Sequence, residues 1–259
     1  MVIIKTPEQV AGIRKSCQVL SRILKEVAAL VRPGITTFEI NKHTEALIAA
    51  SGGIPAFKNY RPVPGIRPFP SAICTSINDV VVHGPATSDI PLKEGDIIGL
   101  DLGVNLNGYF SDMAVTVPVG KVTPEAQRLM DVTAASLAAG IAQMKPGNKI
   151  RDVSAAIERV IREGGAYGIV RDFVGHGVGL AVHEDPQIPN SVDRHMKSQL
   201  DIVLKEGMVL AIEPMVTLGS EQVSILDDDW TVATDDGSLA AHFEHTVAVT
   251  KDGHEVLTA

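Results

Sequence analysis

Four carboxylates flank apolar, strand-like runs. Asp101 follows Ile97-Ile98-Gly99-Leu100, Asp112 precedes Met113-Ala114-Val115, Glu213 follows Val209-Leu210-Ala211-Ile212, and Glu244 precedes His245-Thr246-Val247. An isolated acid usually belongs to the surface or to an ion pair. Here no run of Lys or Arg lies nearby in sequence, and burying carboxylates uncompensated costs several kcal/mol each. Divalent cations resolve the conflict. A fifth candidate, His176, sits in Gly175-His176-Gly177-Val178-Gly179, whose glycines permit close approach of backbone and ligand. A lone His is more often structural, but beside four acids an imidazole favours a borderline metal over calcium or magnesium. The expected centre is a pair of divalent ions held by Asp101, Asp112, His176, Glu213 and Glu244. Such ions, about 3.5–4 Å apart, polarise a carbonyl and generate hydroxide near neutral pH. Cobalt, manganese, iron or zinc would suit these donors, and the residues leave the choice open.

An internal repeat relates the acids. Thr6-Pro7-Glu8 recurs as Thr123-Pro124-Glu125, in each case an N-cap, a Pro at the first helical position and an acid at the helix start. The first predicted helix carries Val10, Ile13, Cys17, Leu20, Leu24, Val27 and Val31 at mostly three-and-four spacing and ends at Arg32-Pro33-Gly34. The second runs from Pro124 to about Ile141 and ends at Lys145-Pro146-Gly147. Each is followed by another helix, over 37–50 and 153–163, closed by Gly52-Gly53 and Gly164-Gly165. Lys93 through Asp101 aligns without a gap on Lys205 through Glu213, and Phe110 through Val117 on His242 through Val249, which sets Asp112 on Glu244. The chain reads as a single catalytic domain, 1–259, of two helix-helix-strand halves, about 6–120 and 121–259. Their strands would share one sheet with helices on its outer side, and the acids would lie where the halves face each other.

Asn105-Leu106-Asn107-Gly108 reads as a hairpin turn between Val104 and Tyr109, which would set Asp101 directly opposite Asp112. Opposed like charges destabilise a sheet unless something neutralises them. Strand alternation puts Leu100, Leu102 and Val104 on one face and Gly99, Asp101 and Gly103 on the other, with Ala114 beside the acids. Small neighbours leave room for ions.

A hydrophobic content of 45% with 21% charged residues supports a sizeable core and excludes disorder. The net charge of −8, without a basic cluster, argues against nucleic acid or an anionic membrane as the main partner. Cys17 and Cys74 form no CxxC motif, which suits a reducing compartment. The segment from Met1 to Lys5 lacks a signal-peptide pattern, and no apolar run reaches bilayer length, so a cytoplasmic location is expected.

With these residues assembled, the sequence resembles the type I methionine aminopeptidases, of the α+β pita-bread fold. The resemblance spans essentially the whole chain. It rests on Ser76-Ile77-Asn78-Asp79-Val80-Val81-Val82-His83-Gly84, Leu100-Asp101-Leu102-Gly103, Ser111-Asp112, the glycine-flanked His176, His183-Glu184-Asp185-Pro186, Ala211-Ile212-Glu213-Pro214-Met215 and Phe243-Glu244-His245-Thr246. It implies that Asp112 and Glu244 bridge the two ions, that Asp101 chelates one, and that His176 and Glu213 complete the other. It also implies that Glu213 helps to deprotonate the attacking water, that His183 hydrogen-bonds the substrate carbonyl, and that His83 contacts the substrate amide or departing amine. Such enzymes release the initiator methionine of nascent polypeptides when the second residue is small. The thioether needs an apolar pocket, for which Tyr60, Phe69, Cys74 and Trp230 are candidate walls. The expected partners are therefore polypeptide N-termini, met by a monomer at or near the ribosome, without direct contact to nucleic acid or membrane.

Three features depart from the family pattern. Val182 stands where an aromatic residue commonly precedes the histidine of His-Glu-Asp-Pro, residues 61–68 exceed the usual Gly-rich connection, and 191–201 reads as an extended polar loop at the entrance. Two competing readings remain. An Xaa-Pro peptidase shares the fold and ligands but usually carries an additional N-terminal domain. A non-catalytic binding protein on the same fold would be expected to have lost ligands.

Overall fold

In the computed structural model, which describes residues 2–259 apart from the Arg194 side chain, the first half runs α1 (Pro7–Ala28), α2 (Thr37–Ala50), β1 (Ile54–Pro55), β2 (Ile73–Ile77), β3 (Val80–Val82), β4 (Ile97–Leu106) and β5 (Tyr109–Pro118). The second runs α3 (Pro124–Ile141), α4 (Ile150–Gly164), β6 (Gly168–Ile169), β7 (Gly175–Gly177), β8 (Glu184–Ile188), α5 (Lys197–Leu200), β9 (Val209–Ile212), β10 (Met215–Thr217), β11 (Val223–Ile225), β12 (Val232–Thr234), β13 (Ala240–His242), β14 (Glu244–Thr250) and β15 (Gly253–Val256). Met1, part of the N-terminal reading above, lies outside the described residues. No helix among the described residues is long and apolar enough to cross a membrane.

The repeated Thr-Pro-Glu signals start helices for the expected reason. Thr6 Oγ1 accepts from the Gln9 N–H and Thr123 Oγ1 from the Ala126 N–H, both at 3.2 Å, while the Pro at each first position has no N–H to leave unpaired. The helices bury their apolar stripes on one side of a nine-stranded antiparallel sheet. Its strand order is β1-β4-β5-β14-β9-β7-β8, with β2 also on β4 and β15 also on β14. Leu20 and Leu24 of α1 and Ile40 and Ile48 of α2 cluster with Leu100, Leu102 and Val104. Leu129 and Leu137 of α3 and Val153 and Ile157 of α4 cluster with Leu210, Ile212 and Val247. Each such fully buried side chain contributes about 1.5–3 kcal/mol. The halves join along β5 and β14, where Glu244 pairs with Ala114 and His245 with Met113.

The hairpin register differs from the expected one by two residues. Leu106 pairs with Tyr109 across a two-residue turn, so Asp101 stands opposite Ala114 and Asp112 opposite Gly103. Asn107 (φ 55°) and Gly108 (φ 86°) both take the left-handed conformation that such a turn demands, and Asn105 Oδ1 accepts from the Gly108 N–H at 2.9 Å. A two-residue shift leaves each side chain on its original face. The acids therefore still share a side of the sheet.

Two further expectations change. The run from His242 to Val249 is interrupted at Phe243, so that β13 pairs with β10 in a separate three-stranded sheet while β14 stays in the large one. Pro214, which separates β9 from β10, marks the matching break. Residues 191–201 are not an extended loop. They include a short 3-10 turn and α5, Ser191 and Leu200 are buried, and none of the described side chains among them lines the cavity described below.

Candidate metal centre

Strand pairing gathers the acids from both halves. Asp101 and Glu244 face Ala114 from its two sides, and the small alanine leaves the space between them open. Asp112 is tied to β14 by Thr246, whose hydroxyl donates to the Asp112 carbonyl oxygen (2.7 Å) and accepts from the Asp112 N–H (3.2 Å). Thr246 in turn pairs with Ala211, and Ala211 with His176. The glycines around His176 serve its neighbours rather than a ligand. A Cβ at Gly175 would lie 2.4 Å from the Ala211 carbonyl oxygen, and one at Gly177 2.4 Å from that of Asp185.

Ligand atoms of Asp112, His176 and Glu244 lie within 4.8 Å of one another. His176 Nε2 is also 3.4 Å from Glu213 Oε1 and 3.9 Å from Asp112 Oδ2. His176 Nδ1 donates to the Gly177 carbonyl oxygen at 2.9 Å; since a carbonyl only accepts, the proton is on Nδ1 and Nε2 turns a lone pair toward the acids. Burial lowers His176 to about 4, so these contacts are not ion pairs at neutral pH.

The carboxylates show the electrostatic conflict directly. Burial raises Asp101 to about 7. It also pushes Asp112, Glu213 and Glu244 well above the usual carboxylate range, with neighbouring acids adding repulsion. Among the described residues, Asp101 Oδ1, Asp112 Oδ1, Glu213 Oε1 and Glu244 Oε1 are buried without a hydrogen-bond partner. Buried polar atoms are seldom left so, and orphaned anionic oxygens facing an imidazole lone pair are the donor set of a divalent cation. The residues fit such a group.

Every candidate site residue lines one cavity of about 640 Å³: the five above with Tyr60, Phe69, Cys74, His83, His183 and Trp230. Phe57, Phe69, Cys74 and Trp230 line its apolar end, with Phe69 and Trp230 edge to face at 5.1 Å. Val182 packs with these residues behind the lining. Tyr60 lies at the cavity despite the long segment after it, and its hydroxyl is 2.8 Å from His183 Nδ1. Residues 61–68 are held down by Arg67, which pairs with Asp229 at 2.8 Å and whose carbonyl oxygen accepts from Trp230 Nε1–H at 2.9 Å. Burial lowers His83 to about 4, and desolvation within the cavity, with repulsion from His176, lowers the solvent-accessible His183 to about 3, so both are neutral. His83 also sits at φ 61°, an uncommon conformation for a non-glycine residue.

Sequence reasoning missed Phe57 and His242. Phe57 packs where Gly103 has no side chain, since a Cβ there would fall 2.7 Å from its ring. That vacancy, facing the acids, was the available signal. His242 Nε2 lies 3.8 Å from Glu213 Oε2, and only the break at Phe243 brings it there.

Comparisons with known proteins identify the family. Residues 11–251 match the model of metallopeptidase family M24. A methionine aminopeptidase of Treponema pallidum is 45% identical over 258 residues, covering 100% of this chain and 96% of the relative. The crystal structure of methionine aminopeptidase from Thermotoga maritima superposes with a TM-score of 0.92 at 39% identity, covering 100% of this chain and 99% of that one. A prolidase from Pyrococcus furiosus has the same fold at lower similarity, with a TM-score of 0.76 and 25% identity, and this chain covers 65% of it. The full-length match separates the first pair from the prolidase. The chain belongs to metallopeptidase family M24 and, within it, to the type I methionine aminopeptidases.

Proposed function

We propose that this chain hydrolyses the peptide bond after an N-terminal methionine, with a small second residue preferred, and that Asp101, Asp112, His176, Glu213 and Glu244 hold two divalent ions for the purpose. The observation that carries the ligand assignment is the cluster of buried, unpartnered carboxylate oxygens facing the His176 lone pair. Bound there, the ions would supply Lewis-acid polarisation of the scissile carbonyl and lower the pKa of water. Asp112 and Glu244, diagonal neighbours across the β5–β14 seam whose ligand atoms lie within 4.8 Å of each other, would suit positions shared by both ions. Asp101 would hold one ion, and His176 with Glu213 the other. Mixed imidazole and carboxylate donors suit manganese, iron, cobalt or zinc.

The remaining residues bind and orient substrate. The Tyr60 hydroxyl, whose pKa burial raises, lies 2.8 Å from His183 Nδ1 and would donate to it in the Nε2–H tautomer of His183. His183 then carries its own proton on Nε2, free to donate to the carbonyl oxygen as negative charge develops there. His83, neutral and stacked edge-on against Phe173 at 5.5 Å, contacts the substrate amide or departing amine. Phe69, Cys74 and Trp230, with Phe57, form the apolar pocket for the methionine side chain. The substrates are N-termini of new polypeptides, encountered in the cytoplasm.

Substrate choice tests this reading. Supplied with manganese or cobalt, the protein should release methionine from Met-Ala-Ser and leave an Xaa-Pro dipeptide largely uncut. Preferential cleavage of the proline substrate would overturn the assignment.

A further inference from the structure

Glu213 is held between two imidazoles, and only one of them belongs to the proposed ligand set. Its Oε1 lies 3.4 Å from His176 Nε2 and its Oε2 3.8 Å from His242 Nε2. His242 ends β13 and is only 4% exposed. Two constraints fix its position. It pairs with Met215 of β10, and Thr116 of β5 grips its backbone from both directions, accepting from His242 N–H at 2.9 Å and donating to the His242 carbonyl oxygen at 2.8 Å. The ring therefore has little freedom to move along the strand. Among the described residues its Nε2 is buried without a hydrogen-bond partner, a state that buried ring nitrogens seldom keep. Glu213 Oε2 is the acceptor in reach, and an approach of about 1 Å completes the bond.

We propose that His242 is a positioning residue of the metal centre, its Nε2–H donating to Glu213 Oε2 so that Oε1 is presented beside His176. This inference rests on Glu213 being a ligand, as read above. A carboxylate with one oxygen anchored loses the freedom to rotate out of a coordinating position, and the anchoring bond also tempers the charge it offers the ion. Partners of this kind alter metal affinity by about 10–100-fold.

Metal-free wild type, His242→Leu, His242→Gln and Glu213→Gln can be titrated with Mn²⁺ against a chelating dye, and their Co²⁺ absorption spectra recorded. His242→Leu should bind at least one ion about 10–100-fold more weakly and shift the Co²⁺ bands. His242→Gln, which keeps an N–H at a similar reach, should recover most of the affinity and the wild-type spectrum. Melting of each metal-free variant checks that the fold survives; should His242→Leu not fold, His242→Asn, whose N–H falls short of Glu213, replaces it. Wild-type affinity and spectrum in His242→Leu or its replacement, with Glu213→Gln weakened, would overturn the role of His242 alone. Wild-type affinity in Glu213→Gln as well would remove the ligand assignment and this inference together.

Discussion

Asp101, Asp112, Glu213 and Glu244 are buried in a cluster that repels itself unless protons or cations neutralise it, which gives the metal-free protein a distinctive response to pH. Burial raises Asp101 from an ordinary value of 3.8 to about 7 and moves the other three upward as well. The folded state thus keeps protons that the unfolded chain releases. Stability is unaffected below the unfolded value and is lost as pH rises toward the folded one. The melting temperature of metal-stripped protein should fall between about pH 4 and pH 7, and added Mn²⁺ should reverse the fall because ligands bind it deprotonated. A melting temperature of metal-stripped protein that rises over this interval would contradict the picture. Asp112→Asn removes one repelling charge. It should abolish turnover yet raise the melting temperature of the metal-free protein at pH 7, by about 2–4 °C for each kcal/mol of relieved repulsion. Differential scanning calorimetry beside a peptide assay measures both.

Strands and turns decide how these residues meet, and here the sequence was informative in parity and uninformative in register. The face of each acid was legible because alternation depends only on odd and even spacing. Its cross-strand neighbour was not, because Asn105 and Leu106 have turn-like composition near Asn107-Gly108 but extend the strands instead. The repeat alignment also explains an asymmetry. Gly99 matches Ala211; Gly99 pairs with Ser76 on β2, and Ala211 pairs with His176 on β7. The position equivalent to His176 in the first half is therefore a serine, a weak ligand, which would make the two sides of the proposed centre chemically unequal. The hairpin turn itself can be tested without disturbing packing. A Cβ at Gly108 would meet nothing within 4 Å, so Gly108→Ala acts through its left-handed φ of 86° alone. It should destabilise by about 1–2 kcal/mol in urea denaturation; an unchanged midpoint would speak against the turn.

At the scale of the whole molecule, the two halves are bound by contacts far apart in sequence. Lys5 reaches from the N-terminal segment to Glu184, the residue after His183, at 2.6 Å, with both side chains almost fully buried. Glu184 also accepts from the Leu180 and Ala181 N–H groups, which braces the loop that carries His183. This pair lies 179 residues apart, and although Glu184 belongs to the His-Glu-Asp-Pro motif, nothing in the sequence marks Lys5 as its partner. His242 was hidden for another reason, the strand break at Phe243 that turns it toward Glu213, whereas the acids and His176 were legible because the repeat and the motifs mark them locally. Lys5→Ala leaves Glu184 buried without its cation and should cost about 3–5 kcal/mol, read as a lowered denaturation midpoint. A change within 0.5 kcal/mol, the usual range for surface substitutions, would show the pair to be incidental. On the reading proposed above, the cavity between the halves takes the ions and the methionine side chain. Titrating metal-stripped protein with Mn²⁺ while following methionine release from Met-Ala-Ser tests that most directly: turnover should be absent without ion and rise with the ion bound, up to two per chain. Full turnover in metal-stripped protein would contradict it.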